Sequence, residues 1–139
     1  MPKFAFRLHR VLDYRTMLED WAKRAYLEAQ RSRLEGDSVL ARIHERRARA
    51  LDHPALSLED RLALERTLFA IDDLEHQQRL ALQVLMEEEG QALAAWIERK
   101  RDAEALRKLR DKAYAEWEYD QDRREQADLD EWSVLRRAA

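Results

Sequence analysis

The stretch Leu51-Asp52-His53-Pro54-Ala55-Leu56-Ser57 decides how this chain folds. Pro54 cannot lie inside a helix, because it lacks an amide N–H and its ring clashes with the preceding turn, and it also biases His53 towards extended geometry. Ser57 follows as a candidate N-cap, with Asp60 three residues later where a capping box has its second member. The sequence therefore predicts helix one over about 4–50, a loop over 51–57 and helix two over about 58–136.

The composition on either side of this break favours long, uninterrupted helices. The 139 residues include only two glycines and two prolines, and 40% of them are charged. Ordinary globular domains are about 25% charged, whereas charge-rich sequences with helical periodicity are typical of coiled coils. Disorder is disfavoured because the net charge is only −3 and the chain carries four Trp, four Tyr and three Phe.

The apolar residues repeat with the period of a coiled-coil seam. In helix one, alternating steps of four and three residues from Phe4 give fourteen positions, and ten of them are apolar. In helix two, the same steps from Leu64 give sixteen positions, and eleven of them are apolar. The positions in helix one are Phe4, Leu8, Val11, Arg15, Leu18, Ala22, Ala25, Ala29, Ser32, Gly36, Val39, Ile43, Arg46 and Ala50. Those in helix two are Leu64, Leu68, Ile71, Glu75, Gln78, Leu82, Leu85, Glu89, Ala92, Trp96, Arg99, Ala103, Leu106, Arg110, Ala113 and Trp117. We predict an all-α fold, a single domain over 1–139 in which two long helices form an antiparallel coiled-coil hairpin.

The charge distribution favours the same pairing. Residues 1–50 hold twelve Lys/Arg and seven Asp/Glu, while 58–98 hold three and ten. Arg42, Arg46, Arg47 and Arg49 form a basic cluster that could bind nucleic acid. We instead expect them to pair within the hairpin with Glu59, Asp60 and Glu65, so no nucleic-acid partner is predicted.

Helix two is longer than its expected partner. With the chain folding back near residue 54, Phe4 should lie opposite about residue 104, which leaves 105–136 as an overhang of ~45 Å. This overhang carries Tyr114, Trp117, Tyr119 and Trp132, and aromatic side chains on a projecting helix are typical of a docking surface. Gly36 and Gly90 lie inside helices, where either a kink or a close helix approach would explain them.

The sequence gives no indication of an enzyme, cofactor or metal site. Its glycines allow no phosphate-binding loop, and the histidines at 9, 44, 53 and 76 never fall four residues apart. The carboxylates Glu87, Glu88 and Glu89 point in different directions on a helix, so we expect a solvated face. We also expect a cytoplasmic protein, since no apolar run approaches the ~20 residues of a membrane span and the N-terminus lacks a signal peptide.

Both ends of the chain resemble the flagellar FliJ family, small cytoplasmic two-helix coiled-coil proteins of the flagellar type III export apparatus. The similar stretches are FAFRLHRVLDYR (4–15), LRDKAY (109–114) and RREQADLDE (123–131). The resemblance implies a stalk that docks with both its termini in the hexameric export ATPase, activates it, and links it to the membrane export gate and to export chaperones. Its output would be flagellum assembly, and through it motility and chemotaxis, from a peripheral position at the inner face of the cell membrane without direct membrane insertion.

The resemblance also implies two sets of partner-binding residues. The set facing the ATPase is Phe4, Phe6, Arg7, Tyr14, Tyr114, Trp117, Arg123, Arg124 and Trp132. The set facing the gate is Phe69, Ile71, Leu74 and Gln78. Two alternatives remain open, namely a homologous stalk of a virulence-type secretion system and a generic coiled-coil scaffold that dimerises through its overhang.

Overall fold

Two helices account for nearly all of the chain. The computed structural model describes residues 2–138, in which α1 covers His9–Asp52 and α2 covers Leu58–Ala138. No strand occurs among these described residues. The predicted all-α helical hairpin is therefore confirmed, with the break at the position that Pro54 indicates.

The break is capped as the sequence predicts. The Ser57 hydroxyl accepts a hydrogen bond from the Asp60 amide at 3.1 Å, and the Arg61 amide donates to the Ser57 carbonyl at 3.1 Å. Ser57 is thus the N-cap of α2, since its side chain satisfies one of the amides that a helix start leaves without an intrahelical partner.

Helix one begins later than predicted. The expected start was near Phe4, but residues 2–6 are not helical and a turn at 7–8 leads into α1 at His9. The His9 amide donates to the Phe6 carbonyl at 3.2 Å across this turn. The non-helical course places Phe4 against Tyr114 and Trp117 of α2, beyond the position near residue 104 that a helical start would give it.

The chain divides into two compact units. The loop unit is Trp21–Trp96, and the terminal unit consists of the described residues of 1–20 and 97–139. In the loop unit, Ile71 and Leu82 are 1% and 7% exposed, while in the terminal unit Leu12 and Ala103 are 6% and 0% exposed. Each unit therefore has its own small apolar core between segments of α1 and α2.

The seam predicted for α2 agrees with its burial pattern. Fourteen of the sixteen predicted positions are buried or half-buried, and the exceptions are Arg99 and Arg110. A 3.5-residue period therefore describes α2 from Leu64 to Trp117.

The seam of α1 is less regular. Eleven of its fourteen predicted positions are buried or half-buried, and at the other three, 11, 25 and 46, the following residue is protected instead. These replacements are Leu12, Tyr26 and Arg47. Each replacement is local, because the next predicted position (15, 29 and 50) is protected again and the 3.5-residue period is kept.

Gly36 marks a close approach of the two helices in the loop unit. A Cβ atom on Gly36 would lie 2.8 Å from Leu82 Cδ2 and 3.1 Å from Leu85 Cδ1. The Gln78 amide nitrogen donates to the Gly36 carbonyl at 3.0 Å. Of the two explanations that the sequence left open, the structure supports close approach at Gly36, whereas a Cβ on Gly90 would meet nothing within 4 Å.

Candidate partner-binding surfaces

An aromatic cluster occupies the terminal unit. The Phe4 ring packs edge-on against Tyr114, with centroids 5.2 Å apart and planes at 84°, and lies 5.8 Å from Trp117. Tyr114 and Trp117 are themselves 5.8 Å apart. The expectation that Tyr114 and Trp117 belong to an unpaired overhang is wrong. The extended N-terminal segment reaches farther along α2 than a helix would, and it brings Phe4 to both residues.

Beside this cluster, the N-terminal segment and α2 enclose a shallow groove of about 370 Å³. Its lining residues are Ala5, Phe6, Arg7, Leu8, Leu109, Lys112, Ala113 and Glu116. Phe6 is half-buried there, while the Arg7 side chain is exposed at the rim. Of the residues predicted to face the ATPase, the structure therefore brings five together in one part of the terminal unit: Phe4, Phe6, Arg7, Tyr114 and Trp117.

Two ion pairs link α1 to α2 next to this region. Arg15 pairs with Asp102 at 3.4 Å, and Arg107 pairs with Glu19 at 2.9 Å. Tyr14 lies one residue before Arg15, but its side chain is about half exposed, and within residues 2–138 it makes no ring contact. Tyr14 is consequently separate from the aromatic cluster.

The end of α2 is exposed along its whole length. Every described residue from 122 to 138 is exposed, although Leu129, Trp132, Val134 and Leu135 are large and apolar. Trp132 is 61% exposed, and the Arg136 guanidinium lies 5.3 Å from the centre of its ring. This C-terminal segment (122–138) has the composition of a binding surface and no tertiary contact that buries it.

The two predicted arginines of this end lie on the same exposed helix. Arg123 stands over the Tyr119 ring at 5.9 Å, and both Arg123 and Arg124 line a surface depression with Asp120 and Ala127. Stacking on an aromatic ring orients a guanidinium while leaving its donors free. Tyr119, already expected among the docking aromatics of the overhang, contacts Arg123, whereas Arg136 was not predicted, although its position four residues after Trp132 could have indicated it.

The residues predicted to face the gate do not form one surface. Ile71 is 1% exposed and lies in the seam of the loop unit, so it is not available to a partner. Gln78 is half-buried and donates to the Gly36 carbonyl. Phe69 and Leu74 are 63% and 41% exposed, but five positions place them about 140° apart around α2.

Of the basic cluster of α1, Arg47 forms ion pairs within the loop unit, but with partners other than the expected ones. Arg47 bonds to Asp72 and Glu75 on α2 and not to residues 59–65. Arg79 and His44 also form hydrogen bonds to Glu75. These bonds hold the pKa of Glu75 below its usual value, and the bond from Arg79 has the larger effect. Farther along, Arg33 pairs with Glu89, which raises the arginine pKa. The pairing confirms the expected charge complementarity between α1 and α2 in the loop unit.

Neither a group of metal ligands nor a membrane-spanning helix is found among the described residues. No group of three or more His, Asp or Glu side chains among them is placed to hold a metal ion. None of the helical residues described is part of a stretch long and apolar enough to cross a membrane.

These features define a class of protein: a charge-rich helical hairpin whose conspicuous surfaces are exposed aromatic and apolar side chains. Residues 4–138 match the sequence profile of the family described as flagellar FliJ protein, so the chain belongs to that family. Neither the curated proteins nor the solved structures include a significant match to the chain. Family membership makes the chain a component of the flagellar protein export apparatus and confirms the resemblance seen at both ends of the sequence.

Proposed function

We propose that this protein is a non-catalytic stalk that docks in the hexameric flagellar export ATPase and activates it. The observation that carries the proposal is the C-terminal segment of α2, where four large apolar side chains are exposed. Exposed apolar groups on a helix favour burial in a partner, and each fully buried side chain contributes about 1.5–3 kcal/mol.

The aromatic cluster supports this assignment by fixing the N-terminal segment beside α2. Phe4 holds Arg7 and Phe6 near Tyr114 and Trp117, so both termini of the chain contribute to one unit. An insertion of both termini into an ATPase ring needs this arrangement. We further propose that the protein acts in the cytoplasm, peripheral to the inner face of the membrane.

The structure suggests where to truncate the chain. Gln121 is the last half-buried residue of α2, so a chain ending there keeps Tyr114 and Trp117 with their partner Phe4. We expect this truncation to keep its helicity per residue but to lose most stimulation of the cognate ATPase, measured as phosphate release. The point variant Trp132→Ala with Leu135→Ala should weaken stimulation at least about tenfold, which corresponds to 1.4 kcal/mol of docking energy.

A matched control is available in the loop unit. Leu27 and Leu34 are 45% and 53% exposed on α1, so Leu27→Ala with Leu34→Ala removes two exposed apolar side chains within the loop unit. This control should stimulate the ATPase normally. Normal stimulation by the chain truncated after Gln121 would exclude the C-terminal segment as the docking surface.

A link to the export gate, and to the chaperones that deliver substrates, is the second part of the proposal. Leu74 is its best-supported residue, because it is exposed beside the seam and one helical turn from Gln78. Since Phe69 lies on another face, Leu74→Ala and Phe69→Ala need to be tested separately for binding to the cytoplasmic part of the gate protein. We expect Leu74→Ala to weaken gate binding without changing ATPase stimulation; unchanged gate binding in both variants would place the gate contact elsewhere.

A further inference from the structure

A row of exposed charges runs along α2 in the terminal unit. We call the charge row the four residues Lys108, Lys112, Glu116 and Asp120, which follow one another in steps of four and span ~18 Å. All four are exposed, and among residues 2–138 none of them forms an ion pair. The charge row also lies outside both sets of partner-binding residues, so the proposed function does not use it.

The order of charges in the row is unfavourable within one chain. Residues four apart are neighbours on a helix surface, so Lys108 lies next to Lys112, and Glu116 next to Asp120, as pairs of like charge. Lys112 and Glu116 are opposite in charge, but a Lys that precedes a Glu is the less favourable orientation. The charge row therefore contributes little to α2 as a lone helix, and a partner explains its pattern better.

The charge row is complementary to itself when it is read in the opposite direction. In an antiparallel pair centred at residue 114, Lys108 faces Asp120 of the second copy and Lys112 faces its Glu116, and two-fold symmetry repeats both contacts. A parallel pair in register would bring Lys against Lys and carboxylate against carboxylate. Side chains four residues apart form the ridges through which helices most often pack in globular proteins, at a crossing angle of about 50°. The pattern thus selects one orientation and one register.

Two exposed apolar side chains accompany the charge row. Leu109 and Tyr119 are 50% and 64% exposed and lie about 40° to either side of the middle of the row. They are equally distant from residue 114, so an antiparallel pair brings each Leu109 opposite the Tyr119 of the other copy. Lys112 and Glu116 border the groove beside the N-terminal segment, and both stay exposed there. This face of α2 is therefore open to a second helix.

We propose that two copies of this chain associate through the charge row, with their α2 helices antiparallel and crossing near residue 114. The four ion pairs fix the orientation, and the contacts between Leu109 and Tyr119 add apolar burial. Exposed ion pairs are weak and screened by salt, so the association is reversible and salt-dependent. The sequence leaves dimerisation through the overhang open, and the charge row adds to it a register, an orientation and named contacts. The pairing does not rest on the proposed function.

Sedimentation equilibrium of the full chain at low salt tests the pairing with two variants. The cationic reversal is Lys108→Glu with Lys112→Glu, and the anionic reversal is Glu116→Lys with Asp120→Lys. Each variant brings like charges together in its own pair, so each should dimerise at least about tenfold more weakly than the wild type. An equimolar mixture of the two should associate within about threefold of the wild type, because every position of the row again faces the opposite charge.

Two controls separate the charge row from net charge. Glu87→Lys with Glu88→Lys makes the same charge change as the anionic reversal at exposed residues of the loop unit, and it should alter dimerisation less than about twofold. Reversal of all four row residues leaves the net charge unaltered and the row self-complementary, so this variant should dimerise within about threefold of the wild type. A wild type that stays monomeric up to ~1 mM, a dimer that both reversals retain, or a mixture of the reversals that stays monomeric would each overturn the proposal.

Discussion

Replacing each of the two helical glycines by alanine should give opposite results. Both substitutions add the same methyl group to a helix interior, where alanine is favoured over glycine by about 0.8–1.0 kcal/mol. At Gly90 a Cβ would meet nothing within 4 Å, so Gly90→Ala should raise the free energy of unfolding by about that amount.

At Gly36 the same gain meets a packing conflict. The new Cβ would lie 2.8 Å from Leu82 Cδ2, and Leu82 is only 7% exposed, so its side chain has little room to move. Overpacking of this kind typically costs about 1–3 kcal/mol. Because the helix-propensity gain is common to both variants, Gly36→Ala should be less stable than Gly90→Ala by about 1–3 kcal/mol.

Urea unfolding followed by far-UV circular dichroism measures this difference directly. A double-mutant cycle locates its origin: Leu82→Ala should destabilise the Gly36→Ala protein less than the wild type, because it removes the conflicting methyl groups. Equal stabilisation by Gly36→Ala and Gly90→Ala would refute the reasoning, since it would mean that α1 and α2 are not closely packed at Gly36.

Two further predictions concern the loop unit. Ile71→Ala should lower the free energy of unfolding by about 2–5 kcal/mol, because Ile71 is buried. Phe69→Ala, at a 63% exposed position, should change it by less than about 0.5 kcal/mol. Equal losses in urea unfolding would contradict the assignment of Phe69 to an outward face. The folded-state pKa of Glu75 is depressed, chiefly by its bond to Arg79, so its contribution to stability is complete above the unfolded pKa and is lost as pH falls through the folded value. The stability difference between the wild type and Glu75→Gln should accordingly be largest near neutral pH and shrink in acid; a difference that grows in acid would show that the carboxylate is not stabilised by its cationic neighbours.

Most of the fold can be predicted from the sequence, because two local patterns determine it. Pro54 and Ser57 end one helix and begin the next, and the repeat of apolar residues from Leu64 to Trp117 shows which side of α2 is protected. The start of α1 is not readable in the same way, since Phe4 fits the helical repeat. Its extended position is determined by a tertiary contact with Tyr114 and Trp117, which a local pattern does not contain.

The candidate surfaces are less predictable than the fold. Trp132 and Phe69 are exposed, as expected for residues off the seam or beyond its end. The gate-facing set that the resemblance implies stays a prediction, and within it Ile71 is buried in the seam whereas Phe69 is exposed, so these two residues do not share one accessible face.

The contact between Gln78 and Gly36 has a mechanical consequence for the loop unit. Moving α1 past α2 by one heptad, about 10 Å, would bring Ala29 or Ile43 to the place of Gly36, where a Cβ atom has no room. The same movement would break the hydrogen bond between Gln78 and the Gly36 carbonyl. At smaller displacements the seam side chains of one helix would no longer fit between those of the other. The two helices of this unit therefore resist sliding, and a force applied to one of them is transmitted to the other as a shared bend or twist and not as shear.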